Sequence, residues 1–228
     1  MARDADRTRR RLLAAATDEF AAFGIAGARI DRIAAAAGCN KAMIYAYYGS
    51  KDQLFEAVFT AHVAGYLEQV PFDAADLPGY AGRLFDYFED HPDALRLSIW
   101  YRLERPQGAP MGAVIAANQS RLEQLAGAQR AGLLTAGYTP VELLALVQSV
   151  ATTWASMNPE FGQAAPDRSR RRATVVDAAA RLASARLPGA GPAHPGRPYR
   201  VAVRRRRPRA RPGAGRPAWP RRASWPPR

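Results

Sequence analysis

Residues 30–51, IDRIAAAAGCNKAMIYAYYGSK, contain two short apolar segments separated by a glycine and an asparagine. The first segment stops at Gly38, and the second begins after Asn40, a residue type that commonly caps the start of a helix. Small alanines let two helices approach closely, and a glycine permits the tight turn between them. This stretch therefore predicts a helix-turn-helix, although a hairpin of two core helices in any bundle would have the same alanines and glycine.

Apolar residues recur at intervals of three and four on both sides of this stretch, which predicts an all-α fold of about nine helices. The first helix is predicted over 6–23, because Gly24 can adopt the left-handed conformation that ends a helix. The fourth is predicted from 51 to about 70, with Ser50 as its cap and Gln53 completing a capping box. Breaks rich in proline and glycine separate the remaining helices, which are predicted at 80–89, 92–102, 111–136, 141–157 and 169–187.

Charge is distributed unevenly along the 228 residues. The formal net charge is +13, yet residues 188–228 hold twelve arginines, ten prolines and no acidic residue, which leaves +1 for residues 1–187. A segment of this composition buries too little apolar surface to fold. We therefore predict a helix-turn-helix unit at 1–50, a helical bundle at 51–187 and a disordered Arg/Pro-rich tail at 188–228.

The sequence also argues against several classes of protein. The single cysteine, Cys39, excludes a disulfide within the chain and fits a reducing compartment. The charged start of the sequence does not fit a signal peptide, and no apolar run reaches about 18 residues, so we expect a cytoplasmic protein that does not enter a membrane. His62, His91 and His194 are far apart, and no metal-ligand, phosphate-loop or catalytic-triad spacing occurs. We expect no enzymatic activity, no cofactor and no metal site.

The span from Thr8 to about Val58 resembles a known family. It contains LLAAATDEFAAFGIAGARIDRIAAAAG followed by KAMIYAYYGSKDQLFEAVF, and this order of first helix, turn, IYAYYGSK segment and capped fourth helix is similar to the N-terminal DNA-binding domain of tetracycline-repressor-type (TetR family) transcription regulators. The rest of the body, to about Leu187, is similar to the family only in length and helix count. The resemblance implies a DNA-binding domain followed by a domain for effector binding and dimerisation.

The resemblance further implies that the second short helix of the motif enters the major groove of DNA. Its outer face would contact base edges, and polar groups at its end and beyond would hold phosphates. Tyr45 has an alternative interpretation as a core aromatic, and the arginines at 7, 9, 10 and 11 are either a backbone-contacting arm or a solvated helix face. The implied base contacts are Lys41, Ala42, Met43 and Tyr45, and the implied phosphate contacts are Tyr47 and Lys51. Arg29 departs from the family pattern, because it stands where a threonine or serine often caps the second helix, and we expect it to reach a phosphate instead.

In the resembled family the C-terminal bundle binds a small molecule and forms a dimer. Aromatic and methionine side chains on the middle helices suit an apolar or aromatic effector, although each has an alternative interpretation as ordinary core: Phe85, Phe88, Trp100, Tyr101, Met111, Trp154 and Met157. Small and branched residues on repeating faces of the last two helices predict the homodimer interface: Leu144, Val147, Ala151, Val175, Ala179 and Leu182. The resemblance thus implies a dimeric repressor, released by an effector from a palindromic operator in double-stranded DNA.

The basic tail leaves three interpretations open. It is a nonspecific nucleic-acid arm with Trp219 and Trp225 available for stacking on bases, a solvated solubility tail, or the product of GC-rich DNA read in a shifted frame. The last is suggested by 31 arginines against two lysines in the chain. An alternative function follows from the first interpretation: a nonspecific nucleic-acid-coating protein driven by the tail.

Overall fold

The computed structural model describes residues 2–105, 112–157, 160 and 164–184, except for the side chains of residues 2–5 and 113. Met111 and the predicted tail at 188–228 lie outside this part of the chain. Within it the fold is all-α, as predicted, with nine helices and no strand. The helices are α1 (Ala2–Gly27), α2 (Ile30–Ala37), α3 (Lys41–Tyr48), α4 (Lys51–Gln69), α5 (Leu77–Asp90), α6 (Pro92–Glu104), α7 (Gly112–Arg130), α8 (Pro140–Thr152) and α9 (Arg168–Ala183).

The N-terminal helices begin and end where local chemistry predicts. The regular part of α1 stops at Gly24, whose φ of 71° lies in the left-handed region, before one further turn to Gly27. The left-handed Gly38 ends α2. The Asn40 side chain accepts a hydrogen bond of 2.8 Å from the Met43 N–H, and Ser50 Oγ accepts one of 3.1 Å from the Gln53 N–H. These caps fix the starts of α3 and α4.

The first buried cluster, here called the N-terminal core, joins α1 to α4. Its fully buried side chains include Leu12, Phe20, Ile33, Ile44 and Phe55. The rings of Phe20 and Phe55 pack edge to face with their centres 5.2 Å apart, so α1 and α4 are in direct contact. Leu97 of α6 belongs to the same cluster. The core around the helix-turn-helix thus extends beyond residue 50 into α4 and α6.

The second cluster, here called the bundle core, is formed mainly by α5, α8 and α9. Tyr80, Leu84 and Phe85 of α5 are among its most deeply buried large side chains. Ion pairs along one edge hold α9 to α5: Arg171 donates to Glu89 at 2.8 and 2.7 Å, and Arg172 donates to Asp86 at 2.7 Å. The α5 helix therefore packs against both C-terminal helices, α8 and α9.

Two helix ends in the bundle differ from the predictions. The α7 helix ends at Arg130 instead of 136, because the chain turns at Gly132, where φ is 72°. The α8 helix ends at Thr152 instead of 157. The hydroxyl groups of Thr153 and Ser156 bond to nearby backbone carbonyls in the turns that follow α8.

Candidate nucleic-acid interface

The α3 helix presents most of its polar residues to solvent. Ile44 is its fully buried residue and anchors it in the N-terminal core, whereas Lys41 and Ala42 are exposed and Met43 is half-exposed. Tyr45 and Tyr47 are 49% and 37% exposed. The alternative interpretation of Tyr45 as a core aromatic is therefore wrong, since half of its side chain faces water. The predicted base-contacting and phosphate-contacting residues of α3 share one accessible surface.

A buried carboxylate of α1 positions the start of α2. Arg29, at the N-cap of α2, makes no side-chain cap, but its backbone N–H donates to Glu19 Oε1 at 2.8 Å. The Arg32 Nε donates to the same oxygen at 2.8 Å. Burial acts to raise the pKa of Glu19, but the hydrogen bonds from Arg32 and from the Arg29 N–H outweigh it, so the pKa is lowered. Sequence reasoning missed this pair; the available signal was an acidic residue on the apolar stripe of α1.

The arginines near the start of α1 have different surroundings. Arg11 donates to the carbonyls of Ala37 and, at 3.4 Å, Gly38, so its side chain braces the turn between α2 and α3. Arg9 is exposed, and its guanidinium lies 5.9 Å from the centre of the Tyr47 ring. Arg9 therefore adds positive charge beside the exposed face of α3, whereas Arg11 contributes to local structure.

Both lysines of the chain have partners within it. Lys41 forms an exposed ion pair with Asp31 of α2. Lys51 Nζ donates to the carbonyls of Ala26 at 3.2 Å and Ala28 at 3.3 Å, at the end of α1. The Arg29 side chain is exposed next to them. A phosphate approaching this surface would meet Arg29 and Lys51 near the starts of α2 and α4, where helix dipoles also favour anions.

A cavity of about 450 Å³ lies between α4, α5, α6, α7 and α8. Of the predicted effector residues it brings together Phe88 and Tyr101. Phe85 does not line it, because this side chain is directed into the bundle core, and Trp100 does not, because it lies on the opposite face of α6. Trp154 and Met157 are half-buried outside the lining. The lining includes Phe59, Val63, Tyr66, Leu84, Leu95, Asn118, Gln148 and Thr152, none of which was predicted.

The residues predicted at the dimer interface occupy the inner faces of α8 and α9. Leu144, Val147, Ala151, Val175 and Ala179 are all at most 5% exposed in the bundle core, and Leu182 packs against it half-buried. These small and branched residues pack against α5 of the same chain. These five core side chains are therefore not accessible to a second copy, which corrects the predicted interface.

Neither a membrane-spanning helix nor a cluster of metal-ligand side chains occurs in the part of the chain that the structure describes. None of its helices has the length and apolar character needed to cross a bilayer. No three histidine, cysteine, aspartate or glutamate side chains of these residues are grouped as metal ligands.

An exposed recognition helix on a helix-turn-helix, connected to a helical bundle with an internal cavity, defines a DNA-binding transcription regulator. The family model described as bacterial regulatory proteins of the tetR family matches residues 12–58, and the model described as the tetracyclin repressor-like C-terminal domain matches residues 76–181. The chain belongs to the TetR family, which confirms the resemblance. Regulators of this family are typically DNA-binding proteins without catalytic activity.

Relatives with known descriptions support the same assignment. The HTH-type transcriptional repressor SCO4008 of Streptomyces coelicolor is 40% identical over 162 residues, which are 70% of this chain and 84% of that protein. The repressor NicS of Pseudomonas putida is 38% identical over 100 residues, 40% of this chain and 47% of that protein. The crystal structure of the transcriptional regulator SCO4942 from Streptomyces coelicolor has 43% identity and a TM-score of 0.69, covering 76% of this chain and 96% of that one. The chain is thus a TetR-family transcriptional repressor.

Proposed function

We propose that this repressor binds a palindromic operator as a homodimer and that a small molecule in the cavity releases it. The observation that carries the proposal is the arrangement of α6, which borders the cavity with one face and holds the end of α1 with the other. DNA binding and ligand binding thus use parts of the molecule that are in direct contact.

For DNA recognition we assign Lys41, Ala42, Met43 and Tyr45 to base edges in the major groove. A lysine can donate to guanine acceptors, and a methyl or thioether group can contact the thymine methyl. We assign Tyr47, Lys51 and Arg29 to phosphates, which fix the position of the protein without reading sequence. The support is that Lys41, Ala42, Tyr45, Tyr47 and Arg29 are exposed, and that Met43 and Lys51 are partly exposed.

For dimerisation we propose the outward faces of α8 and α9 in place of the inner ones. Val141 and Leu146 of α8 are 58% and 37% exposed, and Leu133, in the turn between α7 and α8, is 65% exposed. Exposed apolar side chains near one another are typical of a surface that a partner covers. A dimer that reads a palindromic operator needs its two recognition helices about 34–36 Å apart, on successive major grooves.

For ligand response we propose movement of α6. Leu95, Ser98 and Tyr101 border the cavity. On the other face, Trp100 Nε1 donates to the Ala21 carbonyl at 3.2 Å, and Glu104 Oε2 accepts from the Ala26 N–H at 2.7 Å. A ligand that prefers one position of α6 would therefore also bias the position of α1 and the helix-turn-helix attached to it.

The DNA proposal is tested by selecting bound sequences from random double-stranded DNA. We expect a two-fold-symmetric site, with two chains per site by analytical ultracentrifugation. Recovery of an asymmetric site, or one chain per site, would contradict the proposal. Deletion of residues 188–228 distinguishes this repressor from the alternative, a nonspecific nucleic-acid-coating protein. A coating protein would lose nearly all binding. An operator-specific repressor would keep its sequence preference and lose mainly salt-sensitive affinity.

A further inference from the structure

One arginine borders the cavity from a buried position. Arg121 of α7 is only 5% exposed, and its guanidinium lies 5.1 Å from the centre of the Tyr66 ring. The rings of Phe72 and Tyr80 are each 5.7 Å away. Three aromatic rings thus surround part of this cation.

No carboxylate of the described residues forms an ion pair with Arg121. The other inter-helix arginines of low exposure do have such partners: Arg105 pairs with Asp52 and Glu56, and Arg171 pairs with Glu89. Of the side chains outside the described part, Asp4 at the start of the chain is the one acidic residue, and residues 106–111, 158–159, 161–163 and 185–228 contain no aspartate or glutamate. Arg121 is therefore a buried cation without a counter-ion from the bundle.

Such a cation is costly unless something compensates it. Burial of an unpaired charge costs several kcal/mol in real proteins, on the order of what an ion pair with good hydrogen bonds returns. Contacts with aromatic rings return about 0.5–2 kcal/mol each at best. The three rings and the neighbouring Tyr66 hydroxyl are neutral, so none of them cancels the charge of Arg121.

The rest of the cavity lining contains positive charge and no negative charge. The described residues around it include no acidic side chain, and Arg102 provides a second cation. His62 also borders the cavity, and burial, with a smaller contribution from the nearby His91, lowers its pKa, so it is neutral at pH 7. Asn118 and Gln148 offer further hydrogen-bond donors.

We infer that the ligand of this cavity is an organic anion with an apolar body. Its carboxylate or phosphate group contacts the Arg121 guanidinium, whose planar fork matches such oxygens, and its body lies against Phe59, Phe88 and Tyr101. This inference rests on the proposed function only for the biological role of the ligand; the binding site itself is defined by the cavity and by Arg121.

The test compares compounds that share a body and differ in charge. The full-length protein, without DNA, is titrated calorimetrically with 2-naphthoate, 2-naphthyl phosphate, 2-naphthamide and 2-naphthylmethylammonium, and with decanoate, decanamide and decylammonium. We expect at least one anion to bind about tenfold or more tighter than its neutral and cationic counterparts. Equal or tighter binding of the amide or ammonium compound, or no binding of any anion, would overturn the inference.

Two variants test whether Arg121 causes the preference for anions. Arg121→Met removes the charge at similar length and should make anion and amide bind about equally. Arg130→Met changes an exposed arginine of the same helix, outside the cavity, and should leave the preference unchanged. An anion preference that survives in Arg121→Met would overturn the inference.

Folding of each variant is checked by circular dichroism. If Arg121→Met does not fold, Arg121→Lys tests the contact with the anion instead, because lysine keeps the charge but lacks the planar guanidinium. The anion affinity should then fall about tenfold with the amide affinity unchanged; an unchanged anion affinity would count against a contact at Arg121. Because DNA is absent from these titrations, failure to select a symmetric operator would refute the proposed function and leave this result standing.

Discussion

Replacement of Glu19 by glutamine should destabilise the helix-turn-helix. Glu19 is 8% exposed and accepts hydrogen bonds of 2.8 Å from both the Arg29 N–H and the Arg32 Nε. Hydrogen bonds to a charged group contribute about 1.5–3 kcal/mol each. Glutamine keeps one acceptor oxygen, but its amide group then faces the guanidinium. Because Arg32 is 41% exposed and can be rehydrated, we expect a loss of about 2 kcal/mol of unfolding free energy, near the lower end of that range.

Thermal unfolding followed by circular dichroism measures this loss. A change of about 2 kcal/mol corresponds to a Tm decrease of about 4–8 °C for a chain of this size. The matched control is Asp177→Asn, which breaks the ion pair of Asp177 with Arg181 on α9, whose side chains are 62% and 78% exposed. Exposed pairs contribute at most about 0.5 kcal/mol at this spacing, so the control should unfold close to the original protein.

The pH dependence gives an independent check. The pKa of Glu19 is lowered from its usual value of 4.5 in the folded state, so its contribution to stability is fully present above about pH 4.5. It is lost as the pH falls through the lower folded pKa, and the difference between Glu19→Gln and the original protein should shrink there. Equal Tm values for Glu19→Gln and Asp177→Asn at pH 7 would refute the assignment of Glu19 as the group that caps α2.

Four further substitutions test the DNA surface and the packing of α1. Lys41→Ala should relax the base preference at one position per half-site, and an unchanged selection profile would refute its base contact. Asp31→Asn frees Lys41 and removes a negative charge, so operator affinity should rise and the dependence of log K on log salt should steepen by up to about one; weaker binding would contradict this. Tyr47→Phe should weaken binding to all DNA sequences alike by about 1 kcal/mol. A loss of affinity that depends on the DNA sequence, measured by fluorescence anisotropy, would exclude a phosphate contact. Gly24→Ala combines a φ of 71° with a new Cβ 2.9 Å from the Trp100 ring, so it should cost at least about 1–2 kcal/mol; an unchanged Tm would argue against this packing.

The N-terminal helices could be predicted because their ends depend on local chemistry. Gly24 and Gly38 adopt left-handed conformations, and Asn40 and Ser50 bond to backbone N–H groups three residues later, all within a few residues of the chain. The exposure of α3 also follows from its own sequence, since Ile44 is the residue that it buries fully. The pairing of Glu19 with Arg32 joins two helices, and nothing local in either segment specifies it.

The cavity and the bundle faces could not be predicted from the same kind of pattern. Phe85 and Phe88 are three residues apart on α5, yet the first lies in the bundle core and the second borders the cavity. The apolar stripe containing Val147 is equally suited to a helix of the same chain or of a second copy, and α5 occupies it. The segment around Arg121 contains several polar residues, so its local sequence predicts a solvated side chain. Which face is buried depends on the neighbouring helix, and a single sequence does not identify that neighbour.

The contacts of α6 indicate how small a ligand preference would suffice for control. Arg105, directly after α6, bonds to Asp52 and Glu56 of α4 at 3.1 and 2.8 Å, while Trp100 and Glu104 bond to the end of α1. A shift of α6 would therefore have to move both helices that support the helix-turn-helix or break these bonds. A hundredfold loss of operator affinity requires a differential ligand affinity of about 2.7 kcal/mol between the two arrangements. One charge-assisted hydrogen bond contributes about 1.5–3 kcal/mol, so a single bond reaches this value only at the upper end of the range. A bidentate contact between an anion and the buried guanidinium, made in only one arrangement, would be sufficient without any change in the rest of its contacts.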